Sequence, residues 1–381
     1  MVPPAHWDPP WAIMDASVKT ITIAVQPAYE ARIENGVLRH AGTQLAQLRG
    51  DAPRVFVITN AAVRKHWGRT LADSLAEAKL PFEKIEMGDG ERHKSMATIE
   101  DLAARIVERG ADRRSLVVAF GGGVVGDVAG FLASIYMRGV DFVQIPTTFL
   151  AQVDAAIGGK TGVDLPAGKN LLGTFHQPRL VLIDPAVLAT LPEREYRAGL
   201  HEALKCGVIS NPEIFNFMER ERAAILRRDP AALEWLIAEC VAVKAAVVAA
   251  DEREGGLRRI LNFGHTIGHA LEAETSYKQY LHGEAVAWGM VAASMIGVNV
   301  QKTDAKLARR IISTVLAYAP LPRVTARSRN IARRLRADKK TVDGAIHFVL
   351  PVEIGRVEIV RDVPERAVLQ AMDKLRTLSQ A

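Results

Sequence analysis

Gly264-His265-Thr266-Ile267-Gly268-His269 sets two imidazoles four residues apart. On a helix that spacing puts both rings on one face. A third histidine, His282, precedes Gly283-Glu284, and a carboxylate, Glu202, lies in His201-Glu202-Ala203-Leu204-Lys205. Two histidines and one carboxylate can hold a zinc-like cation and leave one coordination position open, as a catalytic metal needs. Spacing alone nominates both His265 and His269 as ligands.

A second kind of chemistry is written in glycine. Gly121-Gly122-Gly123-Val124-Val125-Gly126-Asp127 follows the apolar run Ser115–Phe120 and contains G-x-G-x-x-G at 121, 123 and 126. Such glycines let the backbone approach a pyrophosphate, and a following helix aims its amide dipole at the negative charge. The cluster lies later in the chain than an ordinary dinucleotide fingerprint, and Asp141, 20 residues after Gly121, is not made a ribose ligand by that distance alone. Gly88-Asp89-Gly90-Glu91 offers carboxylates to ribose hydroxyls, and Pro146-Thr147-Thr148 offers hydroxyls to phosphate. One parallel sheet would gather all three turns at its strand C-termini.

A third set is cationic. Asp154, Lys160, Lys169 and Asn170 fall within the polar, glycine-rich Val153–Leu172. Gly158-Gly159-Lys160-Thr161-Gly162 resembles the end of a P-loop, but Asp154 stands where the first glycine is required. Lys205 follows Glu202 by three residues, on the same helical face, and Lys244, Arg258 and Asn262 come from later segments. Cations gathered around one metal suit a substrate carrying phosphate and carboxylate. For any one lysine taken singly, a solvated surface charge is the default.

The elements that must position these groups change character along the chain. β-like runs at Ile21–Val25, Arg54–Thr59, Phe82–Met87, Ser115–Phe120, Phe142–Pro146 and Leu180–Asp184 alternate with helices at Ala61–Ala78, Ser95–Arg109 and from the glycine cluster to about Met137. Ser95 is an N-cap and Gly110 a stop. This alternation predicts a mostly parallel sheet covered on both faces. Beyond about Pro185 helical periodicity dominates: Glu193–Gly207, Pro230–Asp251, His265–Glu274, Glu284–Val298 and Asp304–Ala317, with strands only at Ile346–Leu350 and Arg356–Val360. A boundary near Asp184–Ala189 gives an extension at 1–17, an α/β domain at 18–186 and a helical domain at 187–381, with the catalytic site expected in the cleft between the two domains.

Bulk properties agree with a two-domain folded enzyme. The chain has 381 residues, 49% hydrophobic and 24% charged, which excludes disorder. Net charge is +6, yet 43 acidic residues are interspersed with 49 basic ones, and the densest basic stretch, Arg323–Lys340, lacks interleaved aromatics. That disfavours a nucleic-acid partner. No signal peptide is visible, and the longest uncharged run, Ala285–Val300, falls short of the roughly 18 residues of a spanning helix. Two cysteines, Cys206 and Cys240, provide no disulfide framework, so a cytoplasmic enzyme is expected.

Taken together, Gly121–Gly130, Ile145–Gly173, Leu191–Gly207, Leu257–Glu272, Leu281–Gly289 and Asp338-Lys339-Lys340 resemble the 3-dehydroquinate synthases, within the sugar phosphate cyclases. The likeness extends from about Ile21 to Leu375. It implies a Rossmann-like α/β NAD-binding domain, a mainly helical C-terminal metal-binding domain and a homodimer. It implies Glu202, His265 and His282 as ligands of Zn²⁺ or Co²⁺, with His269 a catalytic residue beside the metal. Asp154, Lys160, Lys169, Asn170, Lys205, Lys244, Arg258 and Asn262 match substrate and catalytic positions. Arg138 would reach the phosphate from the partner subunit, and one of Lys339 and Lys340 would reach substrate. Asp89, Gly90, Glu91, Lys94, Gly122, Gly123, Val124, Val125, Gly126, Asp127, Thr147 and Thr148 match NAD positions, with Lys160 and Lys169 nearby. Cys206 departs from the tyrosine common in the family.

The implied activity is a carbon–oxygen lyase reaction of aromatic amino acid biosynthesis by the shikimate pathway. It converts 3-deoxy-D-arabino-heptulosonate 7-phosphate to 3-dehydroquinate and phosphate, with NAD reduced and reoxidised in each cycle. Cyclases of sedoheptulose 7-phosphate or glucose 6-phosphate tend to differ at the positions of Asn262 and His269. A metal-dependent polyol dehydrogenase of the same fold would have no need of the Lys160, Lys169, Lys205 and Lys244 set.

Overall fold

The computed structural model describes residues 18–48, 54–339, 346–361 and 363–380. The 1–17 extension, Lys340 and the Lys339 side chain lie outside the described residues. The structure divides into two units, Met1–Leu191 with Arg227–Ala249, and Pro192–Leu226 with Ala250–Ala381.

In the first unit the strands are β1 (Lys19–Ile23), β2 (Tyr29–Ile33), β3 (Val55–Thr59), β4 (Phe82–Glu86), β5 (Leu116–Gly121), β6 (Asp141–Pro146), β7 (Lys160–Leu165), β8 (Gly168–Phe175) and β9 (Leu180–Ile183); six are the expected runs, and β2, β7 and β8 join them. Its helices are α1 (Ala41–Ala46), α2 (Ala61–Glu77), α3 (Met96–Glu108) and α4 (Gly123–Ile135). The chain then leaves for α5 (Glu193–Ile209), α6 (Pro212–Arg220) and α7 (Arg222–Leu226) of the second unit and returns with α8 (Pro230–Ala250).

Seven strands form one sheet in the order β1-β2-β9-β6-β5-β3-β4. Every pairing is parallel except β1 with β2. Successive side chains point to opposite faces. Thus Val55, Val57, Val118 and Phe120 pack with Leu71 and Leu75 on one side, while Phe56, Ile58, Val117 and Ala119 pack with Ile99, Leu102 and Val128 on the other. Burial on both faces is why these strands read as continuous apolar runs. β3 has β4 on one flank and β5 on the other, so the strand order reverses at β3/β5, where such sheets bind ligands at the strand C-termini. Much of the polar segment Val153–Leu172 is a separate antiparallel hairpin, β7 with β8, pairing Lys160 with Phe175.

The second unit adds α9 (His265–Glu274), α10 (His282–Asn299), α11 (Ala305–Ala317), α12 (Ser328–Lys339), the antiparallel pair β10 (His347–Glu353) and β11 (Arg356–Arg361), and α13 (Glu365–Leu378). The central helix is α10, buried on almost every side. Two glycines allow that. A Cβ on Gly283 would stand 1.9 Å from the Ala198 carbonyl oxygen of α5, and one on Gly289 would stand 1.8 Å from the Gly264 carbonyl oxygen, just before α9. Gly264 itself has φ +82°, a left-handed turn that a side chain would strain. These close approaches bring α5, α9 and α10 together. Among the described residues no helix is long and apolar enough to cross a membrane.

Candidate active site

Three helices of the second unit each deliver one group. Glu202 on α5 is fully buried, and among the described residues neither carboxylate oxygen receives a hydrogen bond. Lys205 Nζ stands 2.5 Å from Oε2 as an ion pair, off the hydrogen-bonding directions. His265 Nε2 on α9 is 3.8 Å from Glu202 Oε1, and His282 Nε2, at the start of α10, is 3.6 Å from the same oxygen. Ligand atoms about 2.1 Å from a tetrahedral cation lie roughly 3.4 Å from one another, so this spacing fits one ion with little adjustment.

The other ring nitrogens are engaged. His265 Nδ1 is 3.2 Å from the Phe263 carbonyl oxygen, and His282 Nδ1 is 3.4 Å from Glu272 Oε2. Both partners only accept, so the proton belongs on Nδ1 and the lone pair on Nε2 faces Glu202. Burial and the Lys205 ammonium together hold His265 well below the ordinary histidine range. Burial also opposes charge on His282, but the Glu272 and Glu202 carboxylates outweigh it and raise that ring. This corner of the cluster therefore favours positive charge.

His269, one turn after His265, is exposed and belongs to the same group: ligand atoms of His265, His269 and His282 lie within 4.8 Å of one another. Spacing along the helix thus brings His265 and His269 together, but the short carboxylate contacts belong to His265 and His282.

A loop after α8 presents two more groups of this unit. The Asp251 carboxylate accepts from the amides of Arg258 (2.9 Å), Gly256 (2.8 Å) and Gly255 (2.7 Å), and these bonds hold it below the usual carboxylate range. The loop so fixed buries Arg258, whose guanidinium donates to the Glu252 carbonyl. Asn262 donates to Glu254 at 3.4 Å. Asp251, Glu254 and Glu272 were not picked out from the sequence. Only Glu272 had a signal there, its spacing of seven from His265 and three from His269.

In the first unit the glycine cluster spans the end of β5 and the start of α4. Gly122 caps α4 with no side-chain acceptor, which leaves the first-turn amides open to an anion. A Cβ on Gly126 would meet Gln144 at 2.7 Å, so this glycine serves packing of α4 on β6. Val125 is core, and Val124 is half-buried. The Thr147 amide bonds to the Gly121 carbonyl at 2.9 Å, and its buried hydroxyl has no protein partner. Thr148 Oγ1 accepts from Ala151 N at 3.2 Å. Asp89 accepts from Asn60 Nδ2 at 2.9 Å, and Asn60 also caps α2. Thr59, the last residue of β3, buries a second hydroxyl without a partner. Thr59 and Asn60 were overlooked because they end a strand that reads as plain core.

Several cations are held by carboxylates within this unit. Lys94 Nζ is 2.5 Å from Asp127 and also donates to Asn170. Desolvation works against its charge, but Asp127 outweighs it and Lys94 lies above the ordinary lysine range. Lys169 pairs with Glu91 at 2.9 Å, and Lys244 on α8 pairs with Asp154. Lys160 opens β7 and is exposed, as is Arg138. Of these groups, Lys205, Arg258 and Asn262 belong to the second unit, and Lys94, Arg138, Lys160, Lys169 and Lys244 to the first. Their sequence positions alone could not reveal that division.

Comparison with known proteins adds identity to this geometry. Residues 84–198 match the family model for the 3-dehydroquinate synthase N-terminal domain, and residues 199–341 match that for the C-terminal domain. A 3-dehydroquinate synthase of Koribacter versatilis is 59% identical over 92% of this chain and 96% of its own. A 2-epi-5-epi-valiolone synthase of Streptomyces hygroscopicus, solved with NAD⁺ and Zn²⁺, superposes with TM-score 0.85 at 31% identity, covering 92% of this chain and 97% of that one. A 2-deoxy-scyllo-inosose synthase complexed with carbaglucose-6-phosphate, NAD⁺ and Co²⁺ gives TM-score 0.83 at 26% identity, over 94% of this chain and 99% of that one. With both family domains matched in order and close identity across nearly its whole length, this chain belongs to the 3-dehydroquinate synthase family.

Proposed function

We propose that the protein converts 3-deoxy-D-arabino-heptulosonate 7-phosphate to 3-dehydroquinate and inorganic phosphate. The observation that carries this reading is a buried Glu202 carboxylate, ion-paired with Lys205 and faced by two imidazole Nε2 atoms, in a chain 59% identical to a synthase of that name. Glu202, His265 and His282 would hold the cation. The α4 amides from Gly122 to Asp127, with Asp89, Gly90, Glu91, Lys94, Thr147 and Thr148, would hold the dinucleotide.

NAD, when bound, supplies a reversible hydride acceptor for the substrate's secondary alcohol, and the divalent cation supplies charge stabilisation at that oxygen. The residues of the chain bind, orient and move protons. Lys160, Lys169, Asn170, Lys205, Lys244, Arg258 and one of Lys339 and Lys340 bind substrate carboxylate and phosphate, and Asp154 keeps Lys244 oriented. His269, exposed beside the ligand pair, and Asn262 would stabilise or relay protons at the developing substrate oxyanions. The C–O bond to phosphate breaks as the proton on the neighbouring carbon passes to the departing phosphate, which is lyase chemistry, and the hydride would then be returned to the ketone carbon. Ring opening and internal aldol closure follow in the substrate itself.

The same reading makes the protein a cytoplasmic homodimer without nucleic-acid or membrane partners. Arg138 follows Met137, and both have positive φ (71° and 47°), which projects them from the end of α4. Ile135 and Met137 are exposed there, and Leu171, Leu172 and Phe175 are exposed on β8, which is tied to α4 through Thr174 and Ser134 (2.7 Å). An apolar patch of this kind beside an exposed arginine suits a second copy whose active site takes that arginine.

The test is a side-by-side assay with NAD⁺ and three substrates: the heptulosonate phosphate, sedoheptulose 7-phosphate and glucose 6-phosphate. Only the first should release phosphate at an appreciable rate. Chelation should abolish the release, and Zn²⁺ or Co²⁺ should restore it. Turnover of either sugar phosphate in preference to the heptulosonate would refute the assignment.

A further inference from the structure

His282 is the first residue of α10, so no preceding helical turn locks its ring. The connection leading to it is irregular: Ser276 and Tyr277 both take positive φ (52° and 58°) without being glycine. What reaches the ring is Glu272, from the last turn of α9, with Oε2 3.4 Å from His282 Nδ1. Glu272 is buried at 5% exposure and belongs to neither the ligand set nor the substrate set described above. The two histidines thus differ in support. His265 leans on a neutral carbonyl, and His282 on a carboxylate.

We propose that Glu272 is a positioning residue for the metal centre: its carboxylate fixes the His282 ring with the proton on Nδ1 and the lone pair of Nε2 aimed at the cation. The proposal rests on the metal reading of Glu202, His265 and His282. A carboxylate behind a ligating imidazole selects the tautomer, fixes the ring plane and strengthens the ring as a donor. α9 then acts twice, once through His265 directly and once through Glu272 on a ligand borne by α10. The connection Thr275–Leu281 needs no regular structure of its own, because the carboxylate bridges the two helices at the ring.

The test uses the full-length protein and Co²⁺ or Zn²⁺ alone, with affinity measured by competition against a chromophoric chelator. Glu272→Ala should weaken binding by about 10- to 100-fold. Glu272→Gln keeps an acceptor but no charge, and should fall between wild type and Glu272→Ala. The visible ligand-field spectrum of the Co²⁺ form should change in both, a readout that a merely structural role would not move. In a His282→Ala background Glu272→Ala should add nothing. Wild-type affinity and spectrum in both Glu272 variants, with metal lost from His282→Ala, would overturn this proposal alone. Wild-type affinity in His282→Ala would overturn the metal reading beneath it.

Discussion

Glu202 is a carboxylate that folding withdraws from water and sets against the Lys205 ammonium. That is costly unless a cation repays it. Lys205 supplies one positive charge at 2.5 Å, and the two Nε2 atoms mark where another belongs. Metal analysis of purified variants separates ligand from neighbour. His282→Ala should lose bound metal, whereas His269→Ala should keep it while turnover falls by about 100-fold or more, the scale of a lost general acid–base group. Equal metal loss in both would show that the ligand set is wrong. The histidine pair was visible in the sequence because a helix repeats every 3.6 residues. His282 carries no such mark, since it lies 17 residues after His265 on a different helix. Its link to Glu202 is made by tertiary packing alone; the sequence offered it as a third histidine, and only the family resemblance made it a ligand.

At the scale of elements, glycines decide whether these helices approach closely enough. Gly289 lets α10 rest against the Gly264 carbonyl at the start of α9. Gly289→Ala should therefore cost about 1–3 kcal/mol, the usual penalty of overpacking a core. It should lower metal content along with thermal stability, because the displaced backbone leads directly into His265. An unchanged melting temperature would show that the two helices can separate freely. The central strands β3, β5, β6 and β9 were legible because both faces are apolar, whereas β2, with alternating polar positions, was not. The β7–β8 hairpin was not, because β8 is largely exposed and shows no buried alternation. Helical periodicity likewise marks α8 as a helix but not as part of the first unit, since periodicity reports a buried face and not the body that buries it.

For the whole molecule, each unit carries one part of the proposed site: the β3/β5 switch and α4 terminus in the first, the histidine–carboxylate cluster in the second. The alternation of strands and helices announced the first part, and the spacing of histidines half of the second. The division of the basic residues between units arises from long-range packing and was not legible. Related structures solved with NAD⁺ and Zn²⁺ or Co²⁺ show that this fold accommodates both groups in other synthases. In the proposed reaction the dinucleotide is reduced and reoxidised within one turnover. Phosphate release and nicotinamide absorbance followed together in one reaction, with enzyme, metal, NAD⁺ and heptulosonate phosphate, test it most directly. Many phosphates should be released per enzyme with no accumulating NADH. NADH rising in step with substrate consumed would contradict it and point to a dehydrogenase.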